Sequence, residues 1–134
     1  MAEELKLLDT YIFIQKKRYG NNLRLEINLD ESTSKINCLA PLTLQLLAEN
    51  AIKHNAISKE SPLVITINSE KGKLQISNNI NLKIAKEKST GFGLQNIKSR
   101  YELLTNEKIE IIQEENRFIV KIPIINSKHE YIDN

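Results

Sequence analysis

Cysteine is almost absent from this sequence of 134 residues, in which Cys38 is the single example. A lone cysteine cannot form a disulfide within the chain, so a reducing compartment is the natural inference. The sequence also has no apolar run near the roughly 20 residues that a membrane-spanning helix needs, and no recognisable secretory leader. These absences argue against a disulfide-stabilised domain and give no sign of direct contact between this chain and a membrane.

An excess of charge of one sign is also lacking. The 19 lysine and arginine residues nearly balance the 17 aspartate and glutamate residues, which leaves a formal net charge of +2. A nucleic-acid-binding domain usually carries a strongly basic face, so we expect no nucleic-acid partner. The length is typical of one domain with a hydrophobic core, and no internal repeat divides the chain.

Hydrophobic periodicity predicts three helices and five strands. The predicted helices cover residues 3–19, a segment that Pro41 opens, and residues 91–105. The predicted strands cover residues 23–29, 63–68, 73–78, 108–113 and 117–122, and the last four form two hairpins. Helices packed on one face of a mixed, mainly antiparallel sheet would give an α+β two-layer sandwich.

The segment 49–55 (ENAIKHN) concentrates polar groups on one side of the second helix. Apolar residues recur there at i, i+3, i+4 and i+7, which places Glu49, Asn50, Lys53 and His54 together on the opposite side. Such an arc can serve a ligand. The alternative is an ordinary solvated face with a Glu49–Lys53 pair at i, i+4, which would need no ligand.

Two glycines stand where a polar segment enters the third helix. Gly91 and Gly93 have no Cβ, and the N-terminus of a helix carries a partial positive charge, so backbone N–H groups at this point can approach a phosphate closely. The alternative is that the glycines only supply the turn before the helix.

Together, these two motifs resemble the ATP-binding domain of sensor histidine kinases, and within them the LytS type. The segment 41–55 (PLTLQLLAENAIKHN) resembles that family's N box, residues 91–101 (GFGLQNIKSRY) its second glycine box, and residues 118–123 its last strand. The resemblance covers nearly the whole chain. It implies the Bergerat fold, which histidine kinases share with gyrase-type ATPases, Hsp90 and MutL.

The resemblance implies a role for each residue of the N box. Asn50 would bind the Mg²⁺ that bridges the phosphates of ATP, which suits a carbonyl oxygen and a hard cation. Glu49 would orient or deprotonate the attacking group as a general base, in a reaction governed mainly by positioning. Lys53 would contact phosphate as a point charge, and His54 would donate a hydrogen bond to phosphate or remain structural.

The glycine box would surround the triphosphate. The residues that match it are Gly91, Gly93 and Leu94, with Gln95 and Asn96 at the entrance of the helix. ATP and Mg²⁺ are therefore the expected substrate and cofactor.

Asn78 is a departure from the family pattern. Members usually carry an aspartate followed by glycines at the end of the hairpin's second strand, where the carboxylate accepts a hydrogen bond from the adenine amino group. Here residues 77–82 contain neither aspartate nor glycine, and Asn78 continues the apolar row of Leu74 and Ile76. An amide oxygen can accept the same bond, although more weakly than a carboxylate. The alternative is a turn asparagine that leaves the strand.

The resemblance further implies a longer kinase of which this chain is the ATP-binding part. Residues 1–20 would be a connector from the dimerisation and phosphoacceptor helices, residues 21–125 the ATP-binding domain, and residues 126–134 a flexible tail. The family's phosphoacceptor histidine lies on an upstream helix, and neither His54 nor His129 is placed to receive phosphate. The implied partners are ATP, that helix, a response regulator and a second subunit of a homodimer, in the cytoplasmic part of a membrane-anchored sensor.

Two rival functions stay open at this point. A degenerate, non-catalytic domain that keeps the fold as an interaction module would account for Asn78 and the missing glycines. A stand-alone serine kinase of the anti-sigma-factor type has a similar length, but the helix at residues 3–19 and the LytS-like lead-in to the N box favour the sensor kinase.

Overall fold

The computed structural model describes residues 2–29, 37–38, 43–70, 73–81, 98–99, 102–103, 108–123 and 125–126. The helices are α1 (Ala2–Tyr19), a 3₁₀ turn (Gly20–Asn22) and α2 (Thr43–His54), and residues 98–99 and 102–103 are also helical. The strands are β1 (Leu23–Asn28), β2 (Asn37–Cys38), β3 (Leu63–Glu70), β4 (Lys73–Asn79), β5 (Glu110–Gln113), β6 (Arg117–Pro123) and β7 (Ile125–Asn126).

Helix α1 matches the predicted helix at residues 3–19. Acidic residues occupy its first turn and basic residues its last turn, an arrangement that complements the helix dipole at both ends. The helix ends at Tyr19, and the next residue, Gly20, has a φ of 59°, in the left-handed region that glycine adopts without steric cost. Leu8 and Ile12 of α1 are buried in one hydrophobic core together with residues of α2 and of the strands. Helix α1 therefore packs as part of the helical layer.

Five strands form one sheet in the order β1-β3-β4-β6-β5. Strand β1 pairs in parallel with β3, whereas the β3–β4, β4–β6 and β5–β6 pairs are antiparallel. The two predicted hairpins, β3–β4 and β5–β6, are therefore confirmed, and β4 is the central strand of a mixed, mainly antiparallel sheet.

The register places apolar side chains on one face of this sheet. Ile67, Ile76 and Val120 are aligned across β3, β4 and β6, and all three are buried. The same core includes Leu8 and Ile12 of α1 and the apolar side of α2. The predicted α+β two-layer sandwich, with helices on one face of the sheet, is confirmed.

Two features differ from the sequence pattern. Asn37–Cys38 pairs antiparallel with Ile125–Asn126, whereas the sequence pattern predicts no strand at residues 37–38 and begins the tail at residue 126. Ile27, on the predicted apolar side of β1, has 40% of its surface exposed. It lines an open groove of about 340 Å³ between the edge strand β1 and α1.

In the described part of the chain, no helix is both long and apolar enough to cross a membrane.

Candidate functional site

Helix α2 has the two-sided character that its sequence predicts. Its buried apolar residues belong to the core shared with the sheet and α1, and they include Leu44, Leu47, Ala48 and Ala51. On the opposite side Glu49, Asn50 and His54 are half-buried and Lys53 is exposed. The four N-box residues therefore lie on the accessible side of a helix whose position is fixed by the core.

The Glu49–Lys53 pair that the surface interpretation includes does not form between these two described residues. Within the described residues, the carboxylate of Glu49 accepts a hydrogen bond from Gln45 Nε2 at 3.3 Å, and it forms no ion pair with Lys53. The charge of Lys53 is thus not neutralised by the helix's own acidic residue. The ammonium group of Lys53 can therefore interact with an anionic ligand.

The charge of Glu49 affects the pKa of Tyr11 on α1. Burial, followed by the negative charge of Glu49 and by Tyr19, raises the pKa of Tyr11 to about 12. The phenol therefore stays protonated at neutral pH. Because the Glu49 charge acts on a side chain of α1, the first helix forms part of the surroundings of the candidate general base.

Glu4 fixes the other end of α2. Its Oε1 accepts a hydrogen bond from the Leu44 N–H at 3.2 Å, and Glu4 is buried. The first N–H groups of a helix have no partner within the helix, so a carboxylate at this point both satisfies a donor and complements the helix dipole. The interaction joins α1 to α2 at the start of the N-box helix.

Asn78 lies near the end of the central strand and is only 7% exposed. It aligns with Ile65 of β3 and Phe118 of β6, and the alternation of the strand places it on the same face as Leu74 and Ile76. Its Nδ2 donates to the Asn79 carbonyl oxygen at 2.9 Å. Among the described residues no donor reaches Asn78 Oδ1, so this buried amide presents an acceptor.

The end of α2 and the exit of β4 are joined by a residue whose role the sequence pattern does not reveal. Asn55 Oδ1 accepts the Asn81 N–H at 2.7 Å, and Asn55 Nδ2 donates to the Ala51 carbonyl at 2.8 Å. The Ala56 N–H donates to the Asn81 carbonyl at 2.6 Å. These contacts place the strand end that carries Asn78 next to the helix end that carries Lys53 and His54.

Further asparagine contacts hold the exit of β4 against the start of β3. Asn79 Nδ2 and Asn81 Nδ2 both donate to the Pro62 carbonyl, at 2.8 Å and 2.9 Å, and Asn79 Oδ1 accepts the Val64 N–H at 2.7 Å. The density of asparagine at residues 78–81 was the only signal of this network in the sequence. Each amide supplies a donor and an acceptor, so a short stretch of asparagines can satisfy an irregular backbone.

The predicted glycine-box residues lie outside the described residues. They are Gly91, Gly93, Leu94, Gln95 and Asn96. Their expected contact with the triphosphate therefore stays a prediction.

The described site offers oxygen acceptors and a cation rather than a preformed metal cage. In the described ranges, no group of three or more histidine, cysteine, aspartate or glutamate residues is arranged to hold a metal ion. The half-buried Asn50 and Glu49 do provide oxygen atoms, which are the ligands that Mg²⁺ prefers. Because Mg²⁺ usually binds through one or two protein oxygens together with waters and phosphates, this donor set fits a metal that arrives with a nucleotide.

Sequence comparison finds similarity to sensor kinases. The chain is 36% identical over 76 residues to an uncharacterized sensor-like histidine kinase of Staphylococcus epidermidis, covering 57% of this chain and 15% of the relative. It is 28% identical over 67 residues to the sensor protein LytS of Bacillus subtilis, covering 50% of this chain and 11% of LytS. It is 30% identical over 140 residues to the sensor histidine kinase YesM of B. subtilis, covering 94% of this chain and 24% of YesM. The chain thus matches only a minor part of the length of each relative.

Structure comparison finds the same fold in histidine kinase catalytic domains. A nucleotide-free catalytic domain of histidine kinase ThkA superimposes with a TM-score of 0.53 at 19% identity, covering 91% of this chain and 92% of that domain. The histidine kinase domain of a blue-light-activated histidine kinase from Erythrobacter litoralis gives a TM-score of 0.59 at 13% identity, covering 98% and 63% of the two chains. No protein-family model matches the chain.

Proposed function

We propose that this chain, which belongs to the LytS-type sensor histidine kinases as their ATP-binding domain, binds Mg-ATP and donates the γ-phosphate to a histidine on another segment of its protein. The family membership rests on the sequence relatives and the shared fold. Binding of the nucleotide, the role of Mg²⁺ and phosphoryl transfer are the proposed part.

The observation that carries the proposal is the environment of Asn78. A buried amide at the end of the central strand directs its nitrogen to the chain's own backbone and leaves its oxygen as an acceptor. That is the group needed to accept a hydrogen bond from the adenine amino group, at the position where relatives of this type usually carry aspartate. Because the nitrogen is already bonded to the backbone, the oxygen is the atom of this amide that remains for a ligand.

The accessible face of α2 would bind the phosphate half of the nucleotide. Asn50 would hold Mg²⁺ through its amide oxygen, and Lys53, exposed and not paired with Glu49, would contact a phosphate oxygen. His54 would donate a hydrogen bond to phosphate. The glycines at positions 91 and 93, with Leu94, Gln95 and Asn96, would supply backbone and side-chain contacts at the start of the third helix.

Bound Mg²⁺ would neutralise charge on the phosphates. Glu49 would accept the proton of the attacking imidazole, as a general base, while a nitrogen–phosphorus bond forms and the bond between the β- and γ-phosphates breaks to release ADP. Most of the rate enhancement in such a reaction comes from positioning and electrostatics. The fixed geometry of α2, capped by Glu4 at its start and bonded to Asn81 at its end, supports that role.

The partners of the whole protein are part of the same proposal. In a complete sensor kinase the acceptor histidine would lie on an upstream helix, two subunits would associate, and a response regulator would receive the phosphate. Residues 1–20 would connect to those upstream helices even though α1 also packs in the common core. The parent protein would be a membrane-anchored sensor with this domain in the cytoplasm.

A transfer assay tests this function. The chain is incubated with γ-labelled ATP and a separate fragment that carries the dimerisation and phosphoacceptor helices of a LytS-type kinase. We expect acid-labile label on the fragment and none on His54 or His129 of the chain. Glu49→Gln should slow the transfer while ATP affinity is retained. Stable label on His54 or His129 in the chain alone would contradict the proposal.

A further inference from the structure

Asn55 occupies the junction between the two halves of the candidate nucleotide site. It immediately follows α2, one residue after His54 and two after Lys53, and it is only 5% exposed. The Asn55 side chain bonds to the backbone of Asn81, which follows Asn78 by three residues along the chain. The Asn55–Asn81 contact is therefore close in sequence both to the candidate phosphate contacts and to the candidate base contact.

Both polar atoms of the Asn55 side chain form hydrogen bonds. Nδ2 donates to the Ala51 carbonyl at 2.8 Å and Oδ1 accepts the Asn81 N–H at 2.7 Å. The Asn81 carbonyl in turn accepts the Ala56 N–H at 2.6 Å, so both backbone groups of Asn81 are held by residues 55 and 56. This position requires a short side chain with one donor and one acceptor, and asparagine provides both.

Asn81 is also the last described residue before the segment that leads to the glycine box. Its Nδ2 donates to the Pro62 carbonyl at 2.9 Å, which ties the same point to the start of β3. The exit of β4 is thus bonded to a helix and to a neighbouring strand. The spacing between Asn78 and the accessible face of α2 depends on these bonds.

We propose that Asn55 is a positioning residue that couples the base-binding half of the site to its phosphate-binding half. This inference rests on the proposed function. ATP contacts both halves at once, and the second contact is intramolecular once the first has formed. The contribution of this second contact to the affinity for ATP therefore depends on how well the distance between the two halves matches the length of the nucleotide. Asn55 holds that separation without contacting the nucleotide itself.

The test compares ATP with its two parts. Dissociation constants for Mg-ATP, for adenosine and for Mg-tripolyphosphate are measured by NMR titration of the chain and of Asn55→Asp. At neutral pH the introduced carboxylate has no hydrogen to donate to the Ala51 carbonyl oxygen, which lies 2.8 Å from the Asn55 nitrogen in the wild type. The two oxygens repel each other, so the side chain turns away from Ala51 and loses the position from which it accepts the Asn81 N–H. We expect Mg-ATP to bind about tenfold more weakly, with the affinities for adenosine and for tripolyphosphate changed by less than about twofold.

Two further measurements separate positioning from a general loss of stability. Lowering the pH protonates the introduced carboxyl, which can then donate to Ala51 and accept from Asn81, so the ratio of variant to wild-type ATP affinity should return toward one. Ser58→Ala serves as the matched control. It removes the Ser61 N–H to Ser58 Oγ bond of 3.0 Å in the adjoining connection and should leave all three affinities unchanged.

Other outcomes would overturn the inference. Equal weakening of ATP and of both parts by Asn55→Asp would mean that Asn55 acts only through folding, and no change in ATP affinity would mean that the contact does not couple the halves. Asn55→Ala, which removes both bonds without adding charge, provides the same comparison if Asn55→Asp does not fold. Failure of the wild-type chain to bind Mg-ATP would instead count against the proposed function.

Discussion

Asn78 Nδ2 lies 2.9 Å from the Asn79 carbonyl oxygen, and this contact determines which end of the Asn78 amide faces the candidate base site. If the amide were turned around, two acceptor oxygens would stand at hydrogen-bond distance with no hydrogen between them. The nitrogen is therefore directed to the backbone, which leaves the oxygen for the proposed contact with the base. A fixed acceptor matches the amino group of adenine and opposes the carbonyl group that guanine carries at the same place.

We accordingly expect the chain to prefer ATP over GTP, and Asn78→Ala to reduce that preference. The expected reduction is about 1 kcal/mol, or about fivefold in the ratio of the two dissociation constants, which is the net contribution of one hydrogen bond. Calorimetric titration of both nucleotides measures the ratio. Asn68→Ala is the matched control, because Asn68 lies on β3 and bonds to Asn28 at the exposed surface. A ratio that Asn78→Ala leaves unchanged would show that Asn78 does not read the base.

Asn50→Ala should weaken ATP binding by at least about tenfold in the presence of magnesium and have little effect in EDTA, because the lost contact is to the metal. Lys53→Ala gives the contrast. Its charge would contact phosphate directly, so its loss should weaken ATP binding under both conditions. Equal losses for Asn50→Ala with and without magnesium would contradict its assignment as a metal ligand.

Tyr11 gives a pH test of the packing of α1 beside Glu49. The folded-state pKa of Tyr11 is about 12, above its ordinary value of 10.0, with burial as the largest cause and Glu49 as the next. Between these values the unfolded chain loses the phenol proton and the folded chain keeps it, so the free energy of unfolding should fall as the pH rises from 10 to 12. Below pH 10 the contribution is fully present.

Tyr11→Phe should therefore lose less stability than the wild type over this alkaline range, as measured by denaturant unfolding. Glu49→Gln should lower the pKa of Tyr11, which is followed by the ultraviolet absorbance of the phenolate with Tyr11→Phe subtracted. An unchanged Tyr11 titration in Glu49→Gln would mean that the two side chains do not interact.

Glu4→Ala should destabilise the chain by about 1 kcal/mol, because the Leu44 N–H loses the carboxylate that caps α2. Glu3→Ala is the control. Glu3 lies in the same first turn of α1 but is exposed, so its removal should change the free energy of unfolding by less than about 0.5 kcal/mol. Equal effects of the two substitutions in urea unfolding would argue against the cap.

The helices and strands of this fold can be predicted from the sequence because each produces a periodic pattern among neighbouring residues. The alternation of Leu74 and Ile76 predicts a strand, and the spacing of Leu44, Leu47 and Ala51 predicts the buried side of α2; both are confirmed. Pairings between distant segments carry no such signal. The parallel pairing of β1 with β3, and the pairing of β2 with β7, depend on tertiary packing that no window of sequence contains.

The candidate site divides in the same way. The order and spacing of Glu49, Asn50 and Lys53 on α2 follow from helical periodicity and can be read in advance. The Asn55–Asn81 bond joins residues 26 positions apart, so its two ends look like ordinary loop asparagines until the fold brings them together. The orientation of Asn78 depends likewise on one backbone carbonyl, whose direction only the folded strand end defines.

The central claim is that this chain binds Mg-ATP through an adenine contact at Asn78 and a metal contact on α2. Calorimetric titration of the wild-type chain with ATP and with GTP, each with and without magnesium, tests it most directly. We predict saturable binding of ATP that magnesium strengthens, and weaker binding of GTP under both conditions. Absence of ATP binding in magnesium, or equal affinity for ATP and GTP with no effect of magnesium, would contradict the claim and favour a degenerate domain.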